Sequence, residues 1–222
     1  MVEIDEIRVE SEFMIRHGAQ DNPLRPGGVA CTIVSMKPGT GWLACLLICC
    51  MIIVPVTAGE SSDERWLLVD TVNNKLMVMA GTRMISTYKD ISIGRYGAAN
   101  DRMQGDHQTP VGRFHIAWIS DDSRFHRFLG LDYPDLETAR RAYQDKRITG
   151  SDWQAIQRAH RQGKIPPQNT PLGGQIGLHG IGAGSREIHG RYNWTDGCVA
   201  LTNNEIDELL QWVRVGTRVD IR

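Results

Sequence analysis

The strongest constraint in this chain is an uncharged apolar run, WLACLLICCMIIVPV, at residues 42–56. A membrane span needs roughly 18 or more apolar residues, and this run stops at Pro55. Met36-Lys37 precede it and Thr57-Ala58-Gly59 follow it. A basic residue, a short apolar core and small residues at the exit compose a secretory signal peptide, here with cleavage after Ala58. An uncleaved membrane anchor and a buried core helix are the alternatives. None of Cys45, Cys49 and Cys50 follows a small residue at the end of the apolar core, where a lipoprotein signal would place one. The run therefore divides the chain into an upstream extension (1–35), a signal segment (36–58) and one domain (59–222). The extension shows no apolar period and is expected to be disordered, with translation starting at Met36.

This division changes how the five cysteines read. Cys31 is upstream, and Cys45, Cys49 and Cys50 fall within the run, so the exported part keeps only Cys198. Exported proteins usually pair their cysteines. An unpaired one is a reactive thiol, an intermolecular bridge or a small buried hydrophobe, and count alone does not choose. The 222 residues carry a net charge of -1 and no Lys/Arg-rich run. That gives no electrostatic basis for a nucleic-acid partner.

Beyond the run, RWLLVDT and KLMVMA are β-prone strands joined across Asn73-Asn74, a hairpin signal. TRMISTYKDISIG supplies one or two more strands. GRFHIAWIS is another, entered through the turn TPVG. From Tyr133 onward the composition shifts to helix formers, and Gly150-Ser151 separate two short helices over 136–163. Ser151 or Asp152 is the expected cap of the second, and the pair is expected to form a solvated lid or flank. QIGLHG is a strand, followed by a Gly-rich loop and CVAL. Thr202 and Glu205 have capping-box spacing. Ile206, Leu209, Leu210 and Val213 then mark an amphipathic helix, and TRVDIR closes the chain as a strand. The fold expected is mostly β with helices.

A thiol becomes a nucleophile when a base takes its proton or a positive group lowers its pKa. His179 ends a strand beside a loop, and Cys198 begins the next apolar segment. Gly197 permits a tight turn that leaves the sulfur uncovered, and backbone N–H groups at Gly197 and Cys198 could hold an oxyanion. Strand alternation puts Cys198 and Ala200 on one face, with Val199 and Leu201 in the core.

The ordered set TPVG, LHG and TDGCVAL resembles the YkuD-type L,D-transpeptidase catalytic domain. The match covers most of residues 65–222. Asp196 replaces the family's usual His before Gly-Cys, and Ala200 replaces its usual Arg. With FLGLDYP, GDHQTPVGRF and the helices over 136–163, these departures look like the family's YafK branch. The resemblance implies a YkuD-like β-sandwich or barrel with inserted helices. It also implies an exported, periplasmic or wall-associated enzyme, touching the membrane only through its signal segment and using neither cofactor nor metal.

The implied substrates are peptidoglycan stem peptides, attacked by Cys198 with His179 as general base and then acid. The Gly180 carbonyl would orient the imidazole, and Gly197 would serve the oxyanion. An amine acceptor, including one on a wall-attached protein, makes the enzyme a transpeptidase; water makes it an L,D-peptidase or amide hydrolase. Arg127, Tyr133, Trp194, Thr195 and Asp196 are the candidate substrate contacts, with Arg127 replacing the charge lost at Ala200. His189 reads as a solvated loop histidine. A zinc site built from His179, His189 and Cys198 lacks the close ligand pairs of structural sites. An idle wall-binding module would not need the His/Cys pair.

Overall fold

A computed structural model describes residues 64–222. The readings made for 1–35 and 36–58 lie outside the described residues, as does the start of the domain at 59. Among the described residues, no helix is long and apolar enough to cross a membrane.

The fold is mostly sheet with four helices. Strands β1 (Arg65–Asp70) and β2 (Lys75–Ala80) form the expected hairpin, with Asn74 at a φ of 48° in its turn. The Asp70 carboxylate accepts from the Val72 and Asn73 N–H groups and so fixes that turn. β3 (Arg83–Lys89) continues the meander, and the two-residue strands β4 (Ala98–Ala99) and β5 (Thr109–Pro110) pair separately. β6 (Gly112–Ser123) is long and irregular, and β7 (His126–Leu131) returns along it. β8 (Gly177–His179), β9 (Val199–Ala200) and β10 (Arg218–Ile221) complete a sheet of order β3-β2-β1-β10-β6-β7-β8-β9. β6 thus belongs to both halves of the sheet, and register shifts near Trp118 and after Ser120 bend it between them.

Alternation along β1, β2, β6 and β10 sends Leu67, Val69, Leu76, Val78, Phe114, Ile116, Val219 and Ile221 into one core. Helices α1 (Leu136–Gln144) and α2 (Gly150–Arg161) add Ala139, Ala142 and Ile156 to that core. They are a flank rather than a lid, since neither helix contributes to the cleft described below. The cap of α2 is Thr149, two residues before Ser151 and three before Asp152, the caps expected from sequence. Its side chain accepts from the Asp152 N–H while the Asp152 carboxylate reaches back to the Thr149 N–H. A four-residue turn, α3 (Arg186–His189), sits in the Gly-rich loop. In α4 (Asn203–Leu209) the Thr202–Glu205 capping box forms as its spacing predicts.

Candidate active site

Cys198 and His179 reach one cleft because β8 and β9 run parallel and adjacent. Leu178 pairs with Val199 and His179 with Ala200, so Cys198 stands level with Gly177, two places from His179. Residues two apart on neighbouring strands share a face. At ordinary strand spacing their Cα atoms are about 8 Å apart, within reach of a thiol and an imidazole. Both side chains line a cleft of about 870 Å³.

The imidazole is tightly held. Its Nδ1 lies 2.7 Å from the Gly180 carbonyl oxygen, which fixes the proton on Nδ1 and leaves Nε2 as the acceptor. Phe125 stacks on the ring at 4.2 Å, and Trp194 meets it edge-on at 5.8 Å. Only 2% of His179 is exposed. Desolvation pulls its pKa down to about 4, the Gly180 hydrogen bond opposes that shift, and the charges of His189 and Arg124 reinforce it. Gly180 is glycine for space, since a Cβ there would stand 2.7 Å from the Phe125 carbonyl oxygen.

The sulfur, part-exposed at the cleft wall, lies 3.4 Å from the Gln175 carbonyl oxygen, to which its S–H donates. Close packing pushes the thiol pKa up to about 11; a Gly177 backbone hydrogen bond and the Arg102 charge pull the other way. At neutral pH the resting pair is therefore a neutral thiol beside a neutral imidazole.

The loop before Cys198 turns through a conformation only glycine takes readily, and it is stapled. Gly197 has a φ of +126°, and a Cβ there would meet the Gln108 carbonyl oxygen at 2.7 Å. Its N–H donates to Thr195 Oγ1 at 3.2 Å and is engaged within the resting loop. Thr195 also donates its hydroxyl proton to the Cys198 carbonyl at 2.7 Å. Thr195 reaches the cleft wall, but its hydroxyl positions the loop.

Other expectations need correcting. Tyr133 is fully buried, with its hydroxyl donating to the Leu172 carbonyl at 3.0 Å, and does not line the cleft. Its ring is large enough to fill the core, which outweighs its polar tip. Arg127 is also outside the cleft wall, and its guanidinium is consumed by Asp207 (2.9 Å) and Asp121. Ala200 shares the strand face of Cys198 but is fully buried, and Ser92 pairs with its backbone on the side away from β8. His189 is buried rather than solvated: Ser92 Oγ is 3.2 Å from its Nδ1, and the Trp194 indole N–H donates to the same nitrogen at 3.4 Å.

Asp196 and Trp194 do line the cleft. Asp196 is already engaged, however, by Arg95 and by His107 at 2.8 Å.

Arg102 escaped the sequence reading. Its buried guanidinium donates to the carbonyls of Leu172 (2.6 Å), Gln108 (2.9 Å) and Asp196 (3.4 Å) and lies over the Tyr133 ring. It ties three loops into the frame around Cys198. No local spacing announces such a residue, because its partners come from remote backbone. Among the described residues, no group of His, Cys, Asp and Glu is arranged to hold a metal.

Comparison with known proteins gives the following. The sequence model of the YkuD L,D-transpeptidase catalytic domain matches residues 64–221. No curated protein matches the chain. Among solved structures it is similar to the helical cell shape determining protein Pgp2 from Campylobacter jejuni. That match has 21% identity and a TM-score of 0.47, covering 74% of this chain and 52% of that one. It is also similar to Bd1075 from Bdellovibrio bacteriovorus, at 20% identity and a TM-score of 0.46, covering 74% and 50%. An L,D-transpeptidase from Enterococcus faecium matches at 11% identity and a TM-score of 0.42, covering 72% and 50%. The chain spans about half the length of these solved relatives.

Proposed function

This chain belongs to the YkuD family of L,D-transpeptidase catalytic domains, and on that premise we propose that it transfers acyl groups of peptidoglycan stem peptides through a Cys198 thioester. Cys198 Sγ attacks the carbonyl of a stem-peptide bond while the thiol proton passes to His179 Nε2. The tetrahedral oxyanion collapses, the C–N bond breaks, and His179 returns the proton to the departing amine. An acceptor amine then attacks the thioester, losing its proton to His179 as the thiol is restored.

The observation that carries this reading is the pairing of His179 with the strand of Cys198 on one face of one cleft. The Gly180 carbonyl turns the unprotonated Nε2 away from its own backbone. With Gly197 engaged by Thr195, the oxyanion is assigned to the Cys198 N–H. The apolar run at 42–56 is read as the export signal that delivers residues 59–222 to the wall.

The test is mass spectrometry of purified muropeptides incubated with residues 59–222. The expected product is a cross-linked or amine-exchanged species, absent with Cys198→Ala. Loss of the terminal residue to water alone would reassign the enzyme as a hydrolase using the same pair. Normal turnover by Cys198→Ala would refute the mechanism.

A further inference from the structure

The cleft has a second wall whose chemistry the transfer mechanism does not use. It is the turn between β6 and β7, where Asp122, Ser123, Arg124 and Phe125 all face the space containing Cys198 and His179. Two arginines line this cleft. Arg102 is buried and occupied by three backbone carbonyls, as described above. Arg124 is exposed, and its guanidinium rests 4.7 Å over the Phe125 ring. No carboxylate lies within ion-pair distance of Arg124 among the described residues. Asp122 makes no ion pair with it, and Asp196 is held by Arg95 and His107.

The turn is held in place. The Phe125 ring that carries Arg124 also carries the imidazole, so the cation stands two ring contacts from the base. The Gly180 N–H donates to the Arg127 carbonyl at 3.2 Å, and the Arg127 N–H to the Phe125 carbonyl at 3.0 Å. The Arg124 carbonyl packs so closely on Gly182 that a Cβ there would stand 2.1 Å away. A second, mostly apolar hollow of about 450 Å³ lies behind Phe125 and Trp194, with Arg124 on its rim too. An unpaired guanidinium, resting on the Phe125 ring at the junction of two hollows, is suited to a planar anion.

We propose that Arg124 binds a free carboxylate of the substrate and so selects stem peptides whose acid group near the scissile bond is not amidated. This rests on the acyl-transfer reading, and it corrects the choice of Arg127 for the same task. Losing one charge-assisted bidentate contact weakens binding roughly ten- to a hundred-fold. The loss belongs to KM rather than kcat, because the contact is present before and during reaction.

The test uses two bromoacetyl-capped dipeptides, one ending in a free carboxylate and one in its amide. Alkylation of Cys198 is followed by peptide mass spectrometry on the full chain. The expected result is that the acid labels faster than the amide at equal thiolate population. Arg124→Ala should erase that ratio, Arg124→Lys should keep part of it, and Arg127→Ala should leave it unchanged. Absence of preference in the unaltered protein would overturn the proposal. So would equal slowing of both probes by Arg124→Ala, which would make the residue a mere support for Phe125. The same variants are then compared on free and amidated muropeptides, where Arg124→Ala should raise KM for the free acid alone. A preserved probe ratio with no muropeptide turnover would remove the acyl-transfer reading and leave the carboxylate site standing.

Discussion

A neutral resting pair makes a quantitative prediction about the reactivity of Cys198. Its thiol is pushed from an ordinary 9.0 to about 11, so the thiolate population at neutral pH falls by roughly 100-fold. A more basic thiolate is more nucleophilic; a Brønsted slope of about 0.4–0.5 returns close to a factor of ten. The net expectation is labelling by iodoacetamide about tenfold slower than for an unhindered cysteine. With His179 near 4, the two pKa values stand about seven units apart, so spontaneous proton transfer occupies only about one molecule in 10⁷. Two consequences follow for an alkylation series from pH 6 to 10.5, read by mass spectrometry of the peptide containing Cys198. The rate should climb about tenfold per pH unit through most of the range. His179→Ala should change it by less than about threefold while abolishing acyl transfer, because the imidazole acts only when a carbonyl arrives. A rate flat from pH 6 to 9 that collapses in His179→Ala would refute the reasoning and establish a preformed thiolate–imidazolium pair.

Three further outcomes are expected. Gly197→Ala forces a side chain into a φ of +126° against the Gln108 carbonyl; it should cost about 3 kcal/mol or more in urea unfolding and eliminate transfer. Ala200→Arg, which restores the family's usual residue, should destabilise the protein by several kcal/mol instead of widening its substrate range, since position 200 is fully buried. Stability should also depend on pH through His179. Its folded pKa of about 4 lies below the ordinary 6.5, so the unfolded chain takes up the proton first. Stability is then full above 6.5, falls by about 3 kcal/mol as pH drops toward 4, and levels off below. Urea midpoints at pH 7 and 4.5 should converge in His179→Gln relative to the unaltered protein; an unchanged slope in the variant would show that other groups carry the dependence.

β1, β2, β6 and β10 were legible as apolar, β-prone runs bounded by turn signals, although β1 buries three consecutive residues, Leu67, Leu68 and Val69. The Thr202–Glu205 cap was legible because it is local. β7 was not: HRFLGLDYP lacks an alternating pattern and reads as a junction between elements. The order of the two chemical groups along the chain was legible, and so was the strand end that carries His179. What escaped depended on remote backbone. Arg102 is satisfied by carbonyls of three loops, and a spacing rule cannot reveal that. His189 looks like loop sequence but is buried by Ser92 and Trp194. Arg127 and Arg124 are equivalent on paper; only the turn between β6 and β7 decides which of them meets carboxylates and which meets the cleft.

The two departures at positions 196 and 200 adjoin the same stretch of chain. The stretch 92–95 lies along the Cys198 loop: Ala200 and Ser92 exchange hydrogen bonds at 2.7 and 3.0 Å. Thr195 likewise donates to the Ile93 carbonyl at 3.1 Å and accepts from the Arg95 N–H at 3.0 Å. Ala200 is fully buried beside this zipper, and Arg95 at its end pairs with Asp196. The loop is thereby held between β8 on one side and the 92–95 stretch on the other, with Arg102 and Thr195 bracing its turn. A thiol so fixed spends little entropy reaching its attack geometry, which suits a site whose resting electrostatics withhold the thiolate. On the proposed mechanism, selectivity then comes from the arrangement, because the sulfur reacts readily only with a carbonyl that binds where His179 can take the proton.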